Sequence, residues 1–269
     1  VGSACQFKAS DIHIRAGHQI MMRLDGRIRQ VKGSPEMSDE MIERLIYPLM
    51  SKYHLSLFKE ENQVDLSLSD NKGNRVRVNM FRQLGRLAVV MRVIENVIPD
   101  PDALGLPPQV RNIARMRQGL IIFSGATGSG KSTSMASLLN EINRDRYQHI
   151  LTIEDPVEYV FTEQRCVISQ RQVGIDVPDF ARAMKAALRE DPDVILMGEM
   201  RDPESIEIAL TAAETGHLVF STLHAPNSAD AITRMVSSFG GDEQPTIRAK
   251  LAHNLRAIVT QRLLPKKEG

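Results

Sequence analysis

Gly125-Ala126-Thr127-Gly128-Ser129-Gly130-Lys131-Ser132 sets two glycines, a lysine and a hydroxyl at the spacing of a phosphate-cradling loop. The glycines leave room for backbone N–H groups to close around phosphate oxygens. A helix opening at Lys131 would add the partial positive charge of its N-terminus. Lys131 is placed to reach the β- and γ-phosphates of a nucleotide, and the Ser132 hydroxyl to ligate Mg²⁺. Transfer of a phosphoryl group to water also needs an acceptor for the water's proton. Ile153-Glu154-Asp155-Pro156-Val157-Glu158 offers three carboxylates at the end of an apolar run, where ligands of parallel sheets bind. Asp155, directly before Pro156, reads equally as a turn cap.

Gly198-Glu199-Met200-Arg201-Asp202 follows another apolar run. An acid there commonly holds a metal through water, although Asp is the usual residue and this one is Glu199. Asp202, standing before Pro203, reads as a helix cap. His217 and His224 bracket a fourth apolar run. Seven residues apart, they lack the i, i+4 spacing of a helical metal pair, so zinc is not expected, and either reads alone as a structural histidine.

These residues need elements to position them. From Gln109 onward, short apolar strands (120–124, 150–153, 194–197, 218–223) alternate with amphipathic helices (131–144, 180–189, 203–215). That alternation predicts a parallel sheet covered on both faces. The last of these helices has Asp202 as N-cap, Pro203 at its first position and Gly216 past its end. Residues 10–94 read differently, as a small α+β domain. Ile12 and Ile14 alternate with polar neighbours, Asp25-Gly26 signals a two-residue hairpin, and Ser38 caps a helix that Pro48 kinks or ends. Three further strands are expected directly after it, around 64–68, 76–80 and 87–94. Between the halves, four prolines and Gly105 interrupt any regular element. The predicted organisation is thus residues 1–98, a linker at 99–108, and residues 109–269.

Composition narrows the class. The 269 residues carry 34 Lys plus Arg against 33 Asp plus Glu, a net charge of +1 that excludes a polycation holding nucleic acid by bulk charge. Two cysteines, Cys5 and Cys166, make neither a four-thiolate zinc site nor a disulfide framework. No apolar run reaches the ~18 residues of a membrane span. The chain starts without Met or a signal pattern and is read as a piece of a longer, soluble protein of a reducing compartment.

Taken together, residues 125–132, 152–159, 193–202 and 211–224 resemble, in order, the phosphate loop, Asp box, atypical Walker B and His box of the secretion ATPase superfamily. Within it the chain is most similar to the pilus-retraction branch. Ala187-Leu188-Arg189-Glu190-Asp191-Pro192-Asp193, Gly198-Glu199-Met200-Arg201-Asp202 and Ala213-Glu214-Thr215-Gly216-His217-Leu218-Val219-Phe220 read as in that branch. Gln261-Arg262-Leu263-Leu264, by contrast, resembles the extension branch.

The resemblance implies a PAS-like α+β domain followed by a RecA-like ATPase core whose C-terminal end is truncated here. It implies ATP and Mg²⁺, with nucleotide bound by Gly125, Ala126, Thr127, Gly128, Ser129, Gly130, Lys131, Ser132 and Thr133. Glu158 is implied as catalytic base and Glu199 as Walker B acid, both also near the metal with Ser132. His217 and His224 would sense nucleotide or a neighbouring subunit, and Arg77 and Arg92 would reach the nucleotide from the first domain. The implied assembly is a homo-hexamer at the cytoplasmic face of a bacterial inner membrane, working with a platform protein and related pilus ATPases and driving pilus retraction. Extension and secretion motors are the alternatives within the superfamily. From another class, Arg75–Arg92 could be the basic stripe of a nucleic-acid-binding protein. The absence of Trp and an aromatic content of 4% leave that reading few stacking platforms. A non-hydrolysing scaffold would have no work for Glu158.

Overall fold

The computed structural model describes residues 7, 9–69, 75–94 and 97–264. Cys5 and the two chain ends lie outside them. The chain divides into two compact units, Val1–Asn96 and Val97–Gly269.

In the first unit, strands β1 (Asp11–Arg15), β2 (His18–Gln19), β3 (Met21–Leu24), β4 (Arg27–Gln30) and β5 (Glu36–Met37) precede helices α1 (Asp39–Ile46) and α2 (Lys52–Glu61). Strands β6 (Gln63–Ser69), β7 (Arg75–Gln83) and β8 (Arg86–Ile94) complete it. Six of them form an antiparallel sheet in the order β4-β3-β1-β8-β7-β6. Asp25 and Gly26 turn the β3–β4 hairpin with φ of 47° and 75°, the backbone that the Asp-Gly pair predicts. Ser38 caps α1 by accepting from Met41 N at 3.2 Å. Ile42 and Ile46 on α1 pack with Ile12, Val76 and Val78 from the inner face of the sheet.

Helix α2 was not expected from the sequence. Its start is fixed by Ser51, which accepts from His54 N, and its end by Asn62 in the left-handed conformation. Burial of Phe58, 2% exposed, holds it against the sheet and is worth roughly 1.5–3 kcal/mol.

The second unit carries α3 (Pro108–Arg111), β9 (Gly119–Ser124), α4 (Lys131–Asp145), β10 (His149–Glu154), β11 (Val167–Gln172), α5 (Phe180–Ala187) and β12 (Val194–Met197). After them come α6 (Pro203–Glu214), β13 (Leu218–Leu223), α7 (Ser228–Ser237), α8 (Gln244–Asn254) and β14 (Leu255–Thr260). All six strands are parallel, in the order β11-β10-β12-β13-β9-β14. Period-2 alternation sends Ile121, Phe123, Val194 and Phe220 to one face, against Leu138, Leu139 and Ile142 of α4. Leu120, Ile122, Ile195 and Val219 go to the other face, among Ala209 and Leu210 of α6 and Ala183 and Met184 of α5. This is the two-sided α/β layering expected of a RecA-like core.

Residues 99–108, read above as a linker, are folded within this unit. Ser137 Oγ on α4 donates to the Pro99 carbonyl at 2.7 Å, Arg144 pairs with Asp100 at 3.1 Å, and Ile98 and Leu106 pack on the α4 face of the core. The prolines stop regular structure there without stopping packing.

Candidate active site

Strand β9 delivers the chain to the phosphate loop with every residue buried, and α4 takes it away. Gly125 has φ of 140°, and a Cβ on it would stand 2.3 Å from the Gln261 carbonyl oxygen and 2.8 Å from Ser129 Oγ. Only glycine fits. Gly128 and Gly130 also have positive φ, at 75° and 88°, and Gly130 is the left-handed N-cap of α4. Lys131 Nζ donates to the carbonyls of Gly125 at 3.0 Å and Ala126 at 2.9 Å, which folds the lysine over the loop. Burial lowers the Lys131 pKa, and the carboxylates of Glu199 and Glu158 act to raise it. The lysine and these two acids therefore share one field.

A cleft of about 420 Å³ opens over residues 125–129 and is walled on its other side by Pro226, Gln261 and Arg262. Gln261 was not singled out as a site residue in the sequence. Its backbone N–H donates to the Ser124 carbonyl at 2.8 Å, and its side chain donates to Ser134 Oγ on α4 at 2.8 Å. No spacing rule marks a glutamine placed more than a hundred residues after the loop it supports.

Glu154, at the end of β10, accepts from Thr152 Oγ1 at 2.8 Å. Desolvation pushes its carboxyl up to about 7, against hydrogen bonds from Thr152, the Glu158 backbone N–H and Gln170. Asp155 is exposed and its peptide bond to Pro156 is cis. Glu158 lies in the irregular stretch that follows. Glu199 is held from the neighbouring strand: Thr222 Oγ1 donates to the Gly198 carbonyl at 2.6 Å, and Met200 N donates to the Thr222 carbonyl at 3.1 Å. The Glu199 carboxylate takes Arg201 Nε at 2.8 Å and has His224 Nε2 at 3.4 Å. Asp202 caps α6 in a reciprocal capping box with Ser205, accepting from Ser205 N at 2.7 Å.

The two histidines part company. His224 follows the carboxyl end of β13, on the phosphate-loop side of the sheet. His217 precedes its amino end, about 20 Å away along six strand residues. There its carbonyl accepts from Gly119 N at 3.0 Å, and its Nδ1 lies 2.9 Å from the Ala212 carbonyl. His217 therefore does not face the phosphate loop of its own chain. Arg77 and Arg92 belong to the first unit, where they are register partners on β7 and β8 with exposed side chains. Arg92 Nε pairs with the buried Asp11 at 3.1 Å. Arg75, the first residue of the Arg75–Arg92 stripe, shares the face of Arg77 by period 2 but is buried, 7% exposed. That burial and the Asp11 pairing shorten the basic stripe on which a nucleic-acid reading would rest.

The residues present suit a magnesium nucleotide. Ser129 Oγ is buried in the loop with no hydrogen-bond partner among the described residues, and the loop excludes a Cβ at Gly125. Among the described residues no three His, Cys, Asp or Glu side chains gather as a metal cage. A hard cation would thus rely on Ser132, on Glu199 or Glu158, and on phosphate oxygens, the usual donor set for Mg²⁺.

Residues 1–268 match the family described as type II/IV secretion system protein. The type IV pilus retraction ATPase PilT of Pseudomonas aeruginosa is 41% identical over 261 residues, which is 97% of this chain and 76% of that protein. A twitching motility protein of Neisseria gonorrhoeae is 41% identical over 249 residues, 93% of this chain and 66% of that one. Among solved structures, the pilus retraction motor PilT with bound ADP superposes with a TM-score of 0.94 at 45% identity, covering 100% of this chain and 78% of that one. With that match over nearly the whole chain, on a two-sided parallel sheet that carries the phosphate loop, the chain belongs to the type II/IV secretion system protein family.

Proposed function

We propose that the protein is an ATPase motor that drives type IV pilus retraction, using Mg·ATP in a homo-hexameric ring at the cytoplasmic side of the inner membrane, against a platform protein. In this reading residues 1–98 form a PAS-like domain and residues 109–269 the catalytic core, with 99–108 packed on the core. The observation that carries it is the phosphate loop: Lys131 lies over it, Ser129 Oγ is buried there without a partner among the described residues, and Glu158 and Glu199 act on the lysine's charge.

The chemistry follows from the chain's own groups. Loop N–H groups and the α4 N-terminus bind the phosphates, Lys131 turns from the loop carbonyls to the β/γ-phosphate oxygens, and Ser132 and Thr133 complete the nucleotide contacts. A water oxygen attacks the γ-phosphorus while the bond to the β–γ bridging oxygen breaks, and ADP leaves with those electrons. Glu158 takes the water's proton on a carboxylate oxygen. Mg²⁺, when bound, neutralises charge on the phosphate oxygens. Glu199 orients that side of the site, and His224 beside it reports on its state. Arg77 and Arg92 are assigned to charge developing on the transferred phosphoryl group, and His217, at the opposite end of the strands, to a neighbouring subunit.

ADP at 100 times its Kd should stabilise the protein by about 2.7 kcal/mol, and Lys131→Ala should remove most of that shift. An unchanged shift in the variant would overturn the assignment. Deleting the gene in its host should leave cells that bear pili but do not twitch. Bald cells would place the protein with the extension motors that Gln261-Arg262-Leu263-Leu264 resembles.

A further inference from the structure

Residues 157–163 belong to no helix or strand, yet Val157 and Phe161 are buried, so their backbone groups need partners. Side chains of the neighbouring strands supply them. Val157 N donates to Gln172 Oε1 at 3.3 Å, and Phe161 N to Gln170 Oε1 at 2.9 Å. Gln170 Nε2 donates to the Tyr159 carbonyl at 2.8 Å and lies 3.5 Å from Glu154 Oε1. The Glu158 backbone N–H is taken by the Glu154 carboxyl. At the far end of this stretch Asn143 of α4 repeats the device, donating to the Thr162 carbonyl at 2.8 Å and accepting from Gln164 N at 3.0 Å. The Tyr159 hydroxyl meets Thr133 Oγ1 of the phosphate-loop helix at 2.9 Å.

We propose that Gln170 and Gln172 are positioning residues for hydrolysis: from alternate positions of β11 they pin the main chain on both sides of Glu158 and so aim its carboxylate. This rests on the reading of Glu158 as the base. The residue type follows from the geometry. Gln170 must accept from an N–H and donate to a C=O two residues away along the same loop, which an amide does with its two ends. Reversing that amide would set donor against donor and acceptor against acceptor, so its orientation is fixed by the backbone. An uncharged group also leaves the field around Glu158 and Lys131 unaltered. Glutamines at i and i+2 of a strand face the same side, and Gln172 stands opposite Glu154 in the parallel register, two pairs after Gln170 opposite Thr152. The loop that carries Glu158 is therefore templated by an edge strand that itself bears none of the expected site residues.

The test compares Gln170→Met, similar in length but unable to hydrogen-bond, with Gln170→Glu, which keeps the acceptor for Phe161 N and sets an oxygen against the Tyr159 carbonyl. Both should lower kcat by about 10- to 100-fold, the range for a catalytic group misplaced by an ångström, while KM and ADP affinity stay within about threefold. In a Glu158→Gln background, followed by single-turnover phosphate release, Gln170→Met should add less than about a twofold loss, because it acts only through Glu158. An unchanged kcat, or the same fold loss in both backgrounds, would overturn the proposal. Wild-type turnover in Glu158→Gln alone would instead sink the assignment of the base. If Gln170→Met does not fold, Gln172→Met makes the same comparison through the single Val157 contact, with a kcat loss of about 3- to 10-fold expected and none counting against the proposal.

Discussion

Replacing Glu154 by Gln should make the protein more stable at neutral and alkaline pH and change little in acid. The carboxyl is raised from 4.5 to about 7 by desolvation, with the hydrogen bonds from Thr152, Glu158 N–H and Gln170 acting against the rise. Its folded pKa thus lies above its unfolded value, so the native state holds the proton more tightly. The contribution of this one group to stability is most favourable below about 4.5, falls as pH rises to about 7, and stays low above that. At about 1.4 kcal/mol per pKa unit, the span from 4.5 to about 7 corresponds to roughly 3 kcal/mol. A glutamine does not titrate, and its Oε1 still accepts from Thr152 and the Glu158 N–H. In nucleotide-free protein the stability gap between variant and wild type should therefore widen by roughly 3 kcal/mol from about pH 4.5 to about pH 8. That appears as a widening of roughly 6–12 °C in melting temperature for a unit of this size. A pH-independent gap, or a variant destabilised at about pH 8, would show that Glu154 is ionised and well solvated in the folded protein.

Gly125→Ala should abolish ADP-induced stabilisation, because its Cβ meets the Gln261 carbonyl, whereas Gly128→Ala meets none of the described residues within 4 Å and should cost only about 1 kcal/mol for its positive φ, as read by thermal shift. Leu84 is fully exposed at φ 50° in the β7–β8 turn, and Leu84→Asn should stabilise the protein by about 1 kcal/mol in urea unfolding, since asparagine tolerates that backbone. Arg77→Ala should reduce kcat by about 10³-fold or more with nearly unchanged ADP affinity, and wild-type specific activity should rise with protein concentration in step with ring formation by sedimentation. Activity independent of concentration would remove the ring from the account.

The sequence made legible those parts whose signals are local. The phosphate loop, the apolar strand before it, the Asp25-Gly26 turn and the Ser38 and Asp202 caps are each written within a few residues. Helix α2 escaped because only His54 and Phe58 of its ten residues are buried, and Leu55 and Leu57 around them alternate like a strand. Strands β11 and β14 escaped because edge strands keep polar or half-exposed faces, as Ser169-Gln170-Arg171-Gln172 shows. The site divides in the same way. Spacing marked Lys131 and the three carboxylates of Glu154, Asp155 and Glu158, and the family resemblance singled out Glu158 and Glu199, but neither could tell that His217 and His224 lie at opposite ends of one strand. Nor could it find Gln261 and Gln170, whose contacts are set by sheet order.

The central claim is that Glu158, and not its neighbours, takes the proton from the attacking water. Single-turnover hydrolysis by Glu158→Gln, Glu154→Gln and Asp155→Asn, each saturated with Mg·ATP, tests it most directly. Glu158→Gln should bind nucleotide like the wild type and hydrolyse it at least about 100-fold more slowly, while the other two stay within about tenfold of the wild-type rate. Turnover that survives in Glu158→Gln and stops in Glu154→Gln or Asp155→Asn would contradict the account.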